Sequence, residues 1–255
     1  MFKKILFVLI FVILKFIESK RFQIVGGSST LIAQFPFLGV YYSNNNFVCA
    51  CSLVSHSYAI SAAHCTFYYP WQITIRFGSS YRDREGVMVN VTNYIQHPNF
   101  DITNYNNDIS ILNFSKALKY SSHIRPIKLP FYDKNNLKIG TNVKIAGWGM
   151  MSYYSNDLPP QQLYSTTVKV SDFDSCSTNY STQFQELTEN MLCASAYNKD
   201  ACLGDSGGPL VFNETLHGII SFGFGCGMEF YPGIYTKVSM FLPWLKENLP
   251  LLSIQ

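Results

Sequence analysis

Short apolar runs separated by clusters of Gly, Pro, Asn and Ser fill most of the chain. The segments Gln72–Phe77, Val87–Val91, Asp108–Phe114, Val143–Trp148, Leu210–Phe212, Gly218–Phe222 and Gly233–Val238 are rich in Val, Ile, Tyr and Phe. Runs of that length and make-up, bounded by turn formers, predict β-strands. Long helical periodicity is absent until the last stretch. There Phe241, Leu242, Trp244, Leu245 and Leu249 fit one amphipathic helix over Phe241–Leu249. The pattern predicts an all-β chain with a short C-terminal helix. Many short strands in 255 residues make either a sandwich or barrels, and periodicity does not choose between them.

The first residues follow a different pattern. Met1–Lys4 carries two lysines, Ile5–Leu14 is an unbroken apolar run, and Phe16–Ser19 follows Lys15. A basic head, a short apolar core and a small residue make a secretory signal peptide over residues 1–19. The run is too short to span a bilayer comfortably. The alternative is a membrane anchor with Lys15 at its edge. Secretion predicts an extracellular protein with no membrane association once the signal is removed.

Composition narrows the class. Hydrophobic residues make up 47% and charged residues 14%, enough for a core and against disorder. A net charge of +3 with scattered basic residues excludes a nucleic-acid binder. In an oxidising compartment the seven cysteines should mostly pair, leaving one over. No C-x-x-C pair and no histidine cluster points to a metal, and no cofactor motif is present. Four glycosylation sequons, at Asn90, Asn113, Asn179 and Asn213, fit the same compartment.

Three segments carry chemistry. In Gly204-Asp205-Ser206-Gly207-Gly208-Pro209 a serine sits among glycines. Such a loop can present a hydroxyl and let backbone N–H groups approach a developing oxyanion. Ala62-Ala63-His64-Cys65 supplies a histidine that can take the serine proton. The other histidines, His56, His97, His123 and His217, read as surface or structural residues. A third group must orient the imidazole. Asp108, opening the apolar strand Asp108–Phe114, is best placed for burial; Asp101 is the competing acid and reads as a solvated loop residue.

At this point the chain resembles the chymotrypsin/trypsin family of serine peptidases. The matching signatures run in order along nearly all of it: Ile24-Val25-Gly26-Gly27, Ala62 to Cys65, Asn107-Asp108-Ile109, Gly147-Trp148-Gly149, Gly204 to Pro209 and Pro232-Gly233-Ile234-Tyr235. The resemblance implies a trypsin-like peptidase domain over residues 24–255. That domain would be two packed six-stranded antiparallel β-barrels, about 24–130 and 131–255. It implies a catalytic triad of His64, Asp108 and Ser206, with an oxyanion hole at Gly204 and Ser206. It also implies the disulfides Cys49–Cys65, Cys176–Cys193 and Cys202–Cys226. Cys51 is then left over as a buried thiol or an intermolecular partner; two residues from Cys49 on a strand, it keeps Cys51–Cys65 open.

In the family, the position of Asp200, six residues before Ser206, is the base of the primary specificity pocket. An acid there implies cleavage after Arg or Lys, because a buried carboxylate needs a cation. Gly223 and Gly233 stand where larger residues would block the pocket, and Ser221-Phe222-Gly223 should pair with the substrate backbone. Phe222 replaces the more usual Trp, Ala201 a frequent Ser, and Leu203 a frequent Gln. Tyr105 should narrow the next subsite. Ser79 and Met88 stand where calcium-binding trypsins carry acids, so no metal site is expected.

The resemblance further implies a precursor. Removing the short activation peptide, residues 20–23, would free the Ile24 ammonium to pair with Asp205. The implied partners are protein or peptide substrates, protein inhibitors of proteases and an activating protease, acting on a monomer. The alternative is a catalytically silent homologue that binds a partner.

Overall fold

The computed structural model describes residues 25–131, 137–152, 158–183 and 185–249. The N-terminal segment through Ile24, which includes the expected signal and activation peptides, lies outside the described residues.

Twelve of the thirteen strands among the described residues form two closed six-stranded antiparallel barrels. The first contains β2 (Leu38–Ser43), β3 (Asn46–Leu53), β4 (Tyr58–Ser61), β5 (Thr74–Phe77), β6 (Val87–Gln96) and β7 (Ser110–Phe114). They pair in the order β2-β3-β4-β7-β6-β5, and β5 returns to β2. The second contains β8 (Asn142–Gly147), β9 (Tyr164–Val170), β10 (Met191–Ser195), β11 (Pro209–Phe212), β12 (Thr215–Phe222) and β13 (Gly233–Lys237). Its order is β9-β10-β13-β12-β11-β8, closed by β8 on β9. Closure pairs the outer strands of each barrel with one another and settles the choice between sandwich and barrels.

Alternation sets which face each strand buries. In β5, Ile75 and Phe77 point inward; in β9, Tyr164, Thr166, Val168 and Val170 do so. The chain ends bind the barrels to each other. β1 (Ser28–Ser29) pairs with Tyr164 and Ser165 of the second barrel. The C-terminal helix α3 (Leu242–Asn248) and its flanks pack Phe241, Leu245 and Leu249 into the hydrophobic cluster that fills the first.

Two short helices escape the periodicity. α1 (Ala63–Tyr68) follows β4 directly and carries His64 in its first turn. α2 (Phe173–Ser181) starts at Asp172, whose carboxylate caps the Ser175 N–H at 2.9 Å. Buried Tyr180 and the Cys176–Cys193 disulfide hold α2 down. At nine residues or fewer, such helices show too few turns to reveal a repeat.

The three implied disulfides are formed. Cys51 is free and fully buried, with its thiol pushed up by desolvation. It therefore acts as a small apolar filler next to Gly39, where a Cβ would come within 2.9 Å of its sulfur. An intermolecular bond has no access to it. No helix among the described residues is long and apolar enough to cross a membrane.

Candidate active site

A cleft of about 480 Å³ is lined by His64, Asp200, Gly204, Ser206, Ser221, Phe222, Gly223 and Gly233. The first barrel supplies His64 and the second supplies the others. The sequence-predicted residues therefore meet, although they come from segments more than a hundred residues apart.

Asp108 is fully buried beneath His64. Its Oδ1 accepts the His64 backbone N–H at 2.8 Å, and its Oδ2 lies 2.7 Å from His64 Nδ1. With Nδ1 donating to a carboxylate, Nε2 is the nitrogen left to accept a proton. Ser221 Oγ also donates to Oδ2, at 2.5 Å, and Thr236 Oγ1 donates to the Asp108 carbonyl at 2.7 Å. Asp101 instead sits at the surface, and the hydroxyl and N–H of Thr103 hold its carboxyl below the usual range. None of the other four histidines lines the cleft. His56 stacks on Tyr120, His97 packs on Phe241 and Trp244, His217 on Phe212, and His123 is exposed.

Ser206 stands in a tight loop. The Gly208 N–H reaches the Asp205 carbonyl at 2.9 Å, and the Ala50 N–H of the first barrel reaches the Ser206 carbonyl at 2.8 Å. Gly204 and Gly207 hold left-handed backbones at φ 96° and 79°. A Cβ on Gly207 would strike Ser61 Oγ and the Ala50 carbonyl. The N–H groups of Gly204 and Ser206 donate to no acceptor among the described residues, and both residues line the cleft.

Asp205, behind this loop, is fully buried. Gly149 N–H donates to its Oδ1 at 2.7 Å and Cys202 N–H to its Oδ2 at 3.1 Å. Burial pushes its carboxyl up to about 6, against those two hydrogen bonds. No cation pairs with it among the described residues. A Cβ on Gly147 or Gly149 would run into this carboxylate, so Gly147-Trp148-Gly149 requires its glycines for close approach.

Asp200 closes the bottom of the cleft. It is 3% exposed, and its oxygens accept the N–H groups of Ala201 and Gly227, each at 2.9 Å. Burial raises its carboxyl to about 7, opposed by those N–H donors. A Cβ on Gly233 would lie 2.7 Å from Asp200 Oδ1, whereas one on Gly223 would make only ordinary contacts. Three features had no individual signal in the sequence. The Tyr235 hydroxyl is buried beside Asp200 without a hydrogen bond. Phe47 packs against Gly204. Tyr68, in the aromatic run after Cys65, lines the cleft together with Tyr105. Tyr105 stands edge-on to His64 at 5.5 Å and against Phe222 at 5.4 Å.

Among the described residues, the one cluster of possible metal-binding groups does not suit a metal. Cys49, His64 and Cys65 cluster, but the two sulfurs are bonded to each other. In the loop after β5, the Ser79 hydroxyl accepts the Tyr81 N–H, Met88 offers no carboxylate, and the Arg76 guanidinium donates to the Glu85 carbonyl. A loop already serving a guanidinium is not a calcium cradle.

Two closed antiparallel barrels with such a cleft between them define a two-barrel peptide hydrolase. Comparison with known proteins agrees: the sequence model of the trypsin family matches residues 24–245. The chain is 36% identical to trypsin delta of Drosophila melanogaster, over 89% of its own length and 88% of that protein's. It is 35% identical to trypsin alpha of the same fly, over 88% and 86%. With trypsin Blo t 3 of Blomia tropicalis the identity is 34%, over 88% and 85%. The chain belongs to the trypsin family and is a serine endopeptidase.

Proposed function

We propose that the protein is a secreted endopeptidase, made as a zymogen, that cleaves after Arg or Lys. Its domain would span residues 24–255, with one barrel at about 24–130 and the other at about 131–255. The observation that supports this specificity is Asp200: a buried carboxylate lining the cleft, held by two N–H groups and paired with no cation among the described residues. A substrate guanidinium or ammonium supplies the missing charge.

The roles of the remaining residues are inherited from the family's Ser-His-Asp template. Ser206 Oγ attacks the scissile carbonyl while His64 Nε2 takes its proton. Asp108 fixes the imidazole and stabilises its charged form. The N–H groups of Gly204 and Ser206 receive the oxyanion. His64 then returns the proton to the leaving amine, and water releases the acyl group by the same steps. Ser221, Phe222 and Gly223 pair with the substrate backbone, with Gly233 keeping the pocket clear. The Ile24 ammonium, freed by cleavage, pairs with Asp205. Its partners are protein substrates, protein inhibitors and an activating protease, and it works as a monomer. Glycans at the sequons suit Asn90 and Asn213, which are exposed, better than Asn179, whose amide donates to the Phe230 carbonyl at 2.8 Å.

The test is Ser206→Ala and His64→Ala, assayed on a peptide library after processing. Loss of turnover in both, with cleavage by the parent after Arg and Lys, is expected. Near-native turnover in either variant overturns the triad, and a parent inert toward a serine-directed fluorophosphonate points to the silent homologue.

A further inference from the structure

His64 and Asp108 belong to the first barrel and Ser206 to the second, so the chemistry depends on how the barrels are registered. The loop 99–107 precedes Asp108 and is anchored to the second barrel. Gln185 Nε2 donates to the Asn104 carbonyl at 3.1 Å, and Thr188 Oγ1 to Asn106 Oδ1 at 2.8 Å. Asn190 Nδ2 is shared between Asn106 Oδ1 at 3.2 Å and Asn107 Oδ1 at 3.0 Å. All four bonds cross from the second barrel's segment before β10 to the first barrel's loop, joining residues 81 to 84 positions apart. Asn190 is itself fixed to β13, since its carbonyl accepts the Lys237 N–H at 2.8 Å.

The clamped loop does not hold its shape for free. Tyr105 and Asn107 both have left-handed backbones, at φ 60° and 58°. Asn tolerates that region; a bulky aromatic does so only where its surroundings over-determine it. The surroundings here are the amide contacts, with Asn104 Oδ1 accepting the Asn106 N–H and Asn107 Nδ2 donating to the Asn99 carbonyl. The backbone that results aims Tyr105 at the His64 ring and leads directly into buried Asp108.

We propose that Thr188 and Asn190 are positioning residues. Through Asn106 and Asn107 they pin the Asp108 loop to the second barrel, and so hold the His64–Asp108 pair in register with Ser206. The Ala50–Ser206 backbone bond is the opposing tie. A clamp near the surface that served only stability would leave the chemistry of each folded molecule untouched. A clamp that sets register changes the chemical step, because misplacement by ~1 Å can cost on the order of a hundredfold.

The inference rests on the proposed triad, and its test separates the two. Thr188→Val removes the hydroxyl and keeps the shape; Asn190→Asp keeps the shape and loses the donor. Thr188→Ser restores a hydroxyl. Each processed enzyme is titrated with a serine-directed fluorophosphonate, so that kcat refers to competent sites. Thr188→Val and Asn190→Asp should each lower kcat roughly tenfold, with KM moved by less than about threefold. Thr188→Ser should return kcat toward the parent. Parental kcat per titrated site in both disrupting variants, even with a lowered melting temperature, overturns the clamp as a positioning device. A parent that does not label at Ser206 overturns the triad, and the clamp with it.

Discussion

Ser221 donates its hydroxyl to Asp108 Oδ2 at 2.5 Å, and the same oxygen holds His64 Nδ1 at 2.7 Å. The strand proposed to bind the substrate backbone therefore also braces the acid under His64. A hydrogen bond to a charged, buried acceptor contributes about 1.5–3 kcal/mol. Two N–H donors to Asp108 remain when it is lost, so the effect on rate should fall toward the lower end. Ser221→Ala should lower kcat about tenfold and leave the fold intact. Unchanged kcat per titrated site would show that the His64 donors suffice alone.

Specificity should follow Asp200. Ala201 brings no hydroxyl to help a compact ammonium, whereas a guanidinium can pair bidentately, so Arg should be preferred over Lys. Asp200→Asn should cost on the order of 10²–10³-fold in kcat/KM for Arg substrates, as breaking a buried pair does. Faster cutting by the parent after Phe, Leu or Ala would contradict the pocket. The same carboxyl makes a pH prediction. Its folded value lies near 7, above the ordinary 3.8, so the folded precursor holds a proton that the unfolded chain releases between about pH 4 and 7. Precursor stability should thus rise as pH falls through that window and be lower above it. Melting curves at the two ends of the window check the sign, with Asp200→Asn reducing the difference and Asp205, raised to about 6, carrying the remainder.

Much of this site was legible in the sequence because close backbone approach leaves glycines, and glycines can be read. Gly147, Gly149, Gly207 and Gly233 all stand where a Cβ would collide. The fold class was legible from short apolar runs bounded by turn formers, but barrel closure was not; it emerged from the family signatures and is a property of long-range pairing such as β5 with β2. The contacts among uncharged polar groups were illegible. Nothing local distinguishes Ser221, Thr236 or Asn190 from other polar residues, since their partners lie 83 to 128 positions away.

Chelation should leave activity and melting temperature nearly unchanged. The loop that would otherwise need a divalent ion is served by Arg76, which donates to the Glu85 carbonyl. Arg76→Met should therefore loosen residues 78–86, seen as faster proteolytic nicking there. A marked fall in melting temperature with EDTA, restored by calcium, would count against this.

Activation should take two steps. This hypothesis rests on the spacing of Lys20-Arg21-Phe22-Gln23-Ile24 and on Asp205, buried without a cation among the described residues. A trypsin-like cut after Arg21 would leave a chain beginning at Phe22. Its ammonium would sit two residues too far along, and two extended residues span roughly 7 Å. An ammonium that far from Asp205 cannot neutralise it, and the carboxyl, raised to about 6 by burial, would stay unpaired. Removal of Phe22-Gln23 by a dipeptidyl peptidase would expose Ile24 and complete the pair. A single cut after Gln23 by an activator of unusual specificity is the competing route. Recombinant precursor treated with trypsin alone should stay inactive, and adding a dipeptidyl peptidase should bring full activity with Ile24 at the N-terminus. Full activity with trypsin alone and Phe22 at the N-terminus would falsify both the two-step route and the Ile24–Asp205 switch.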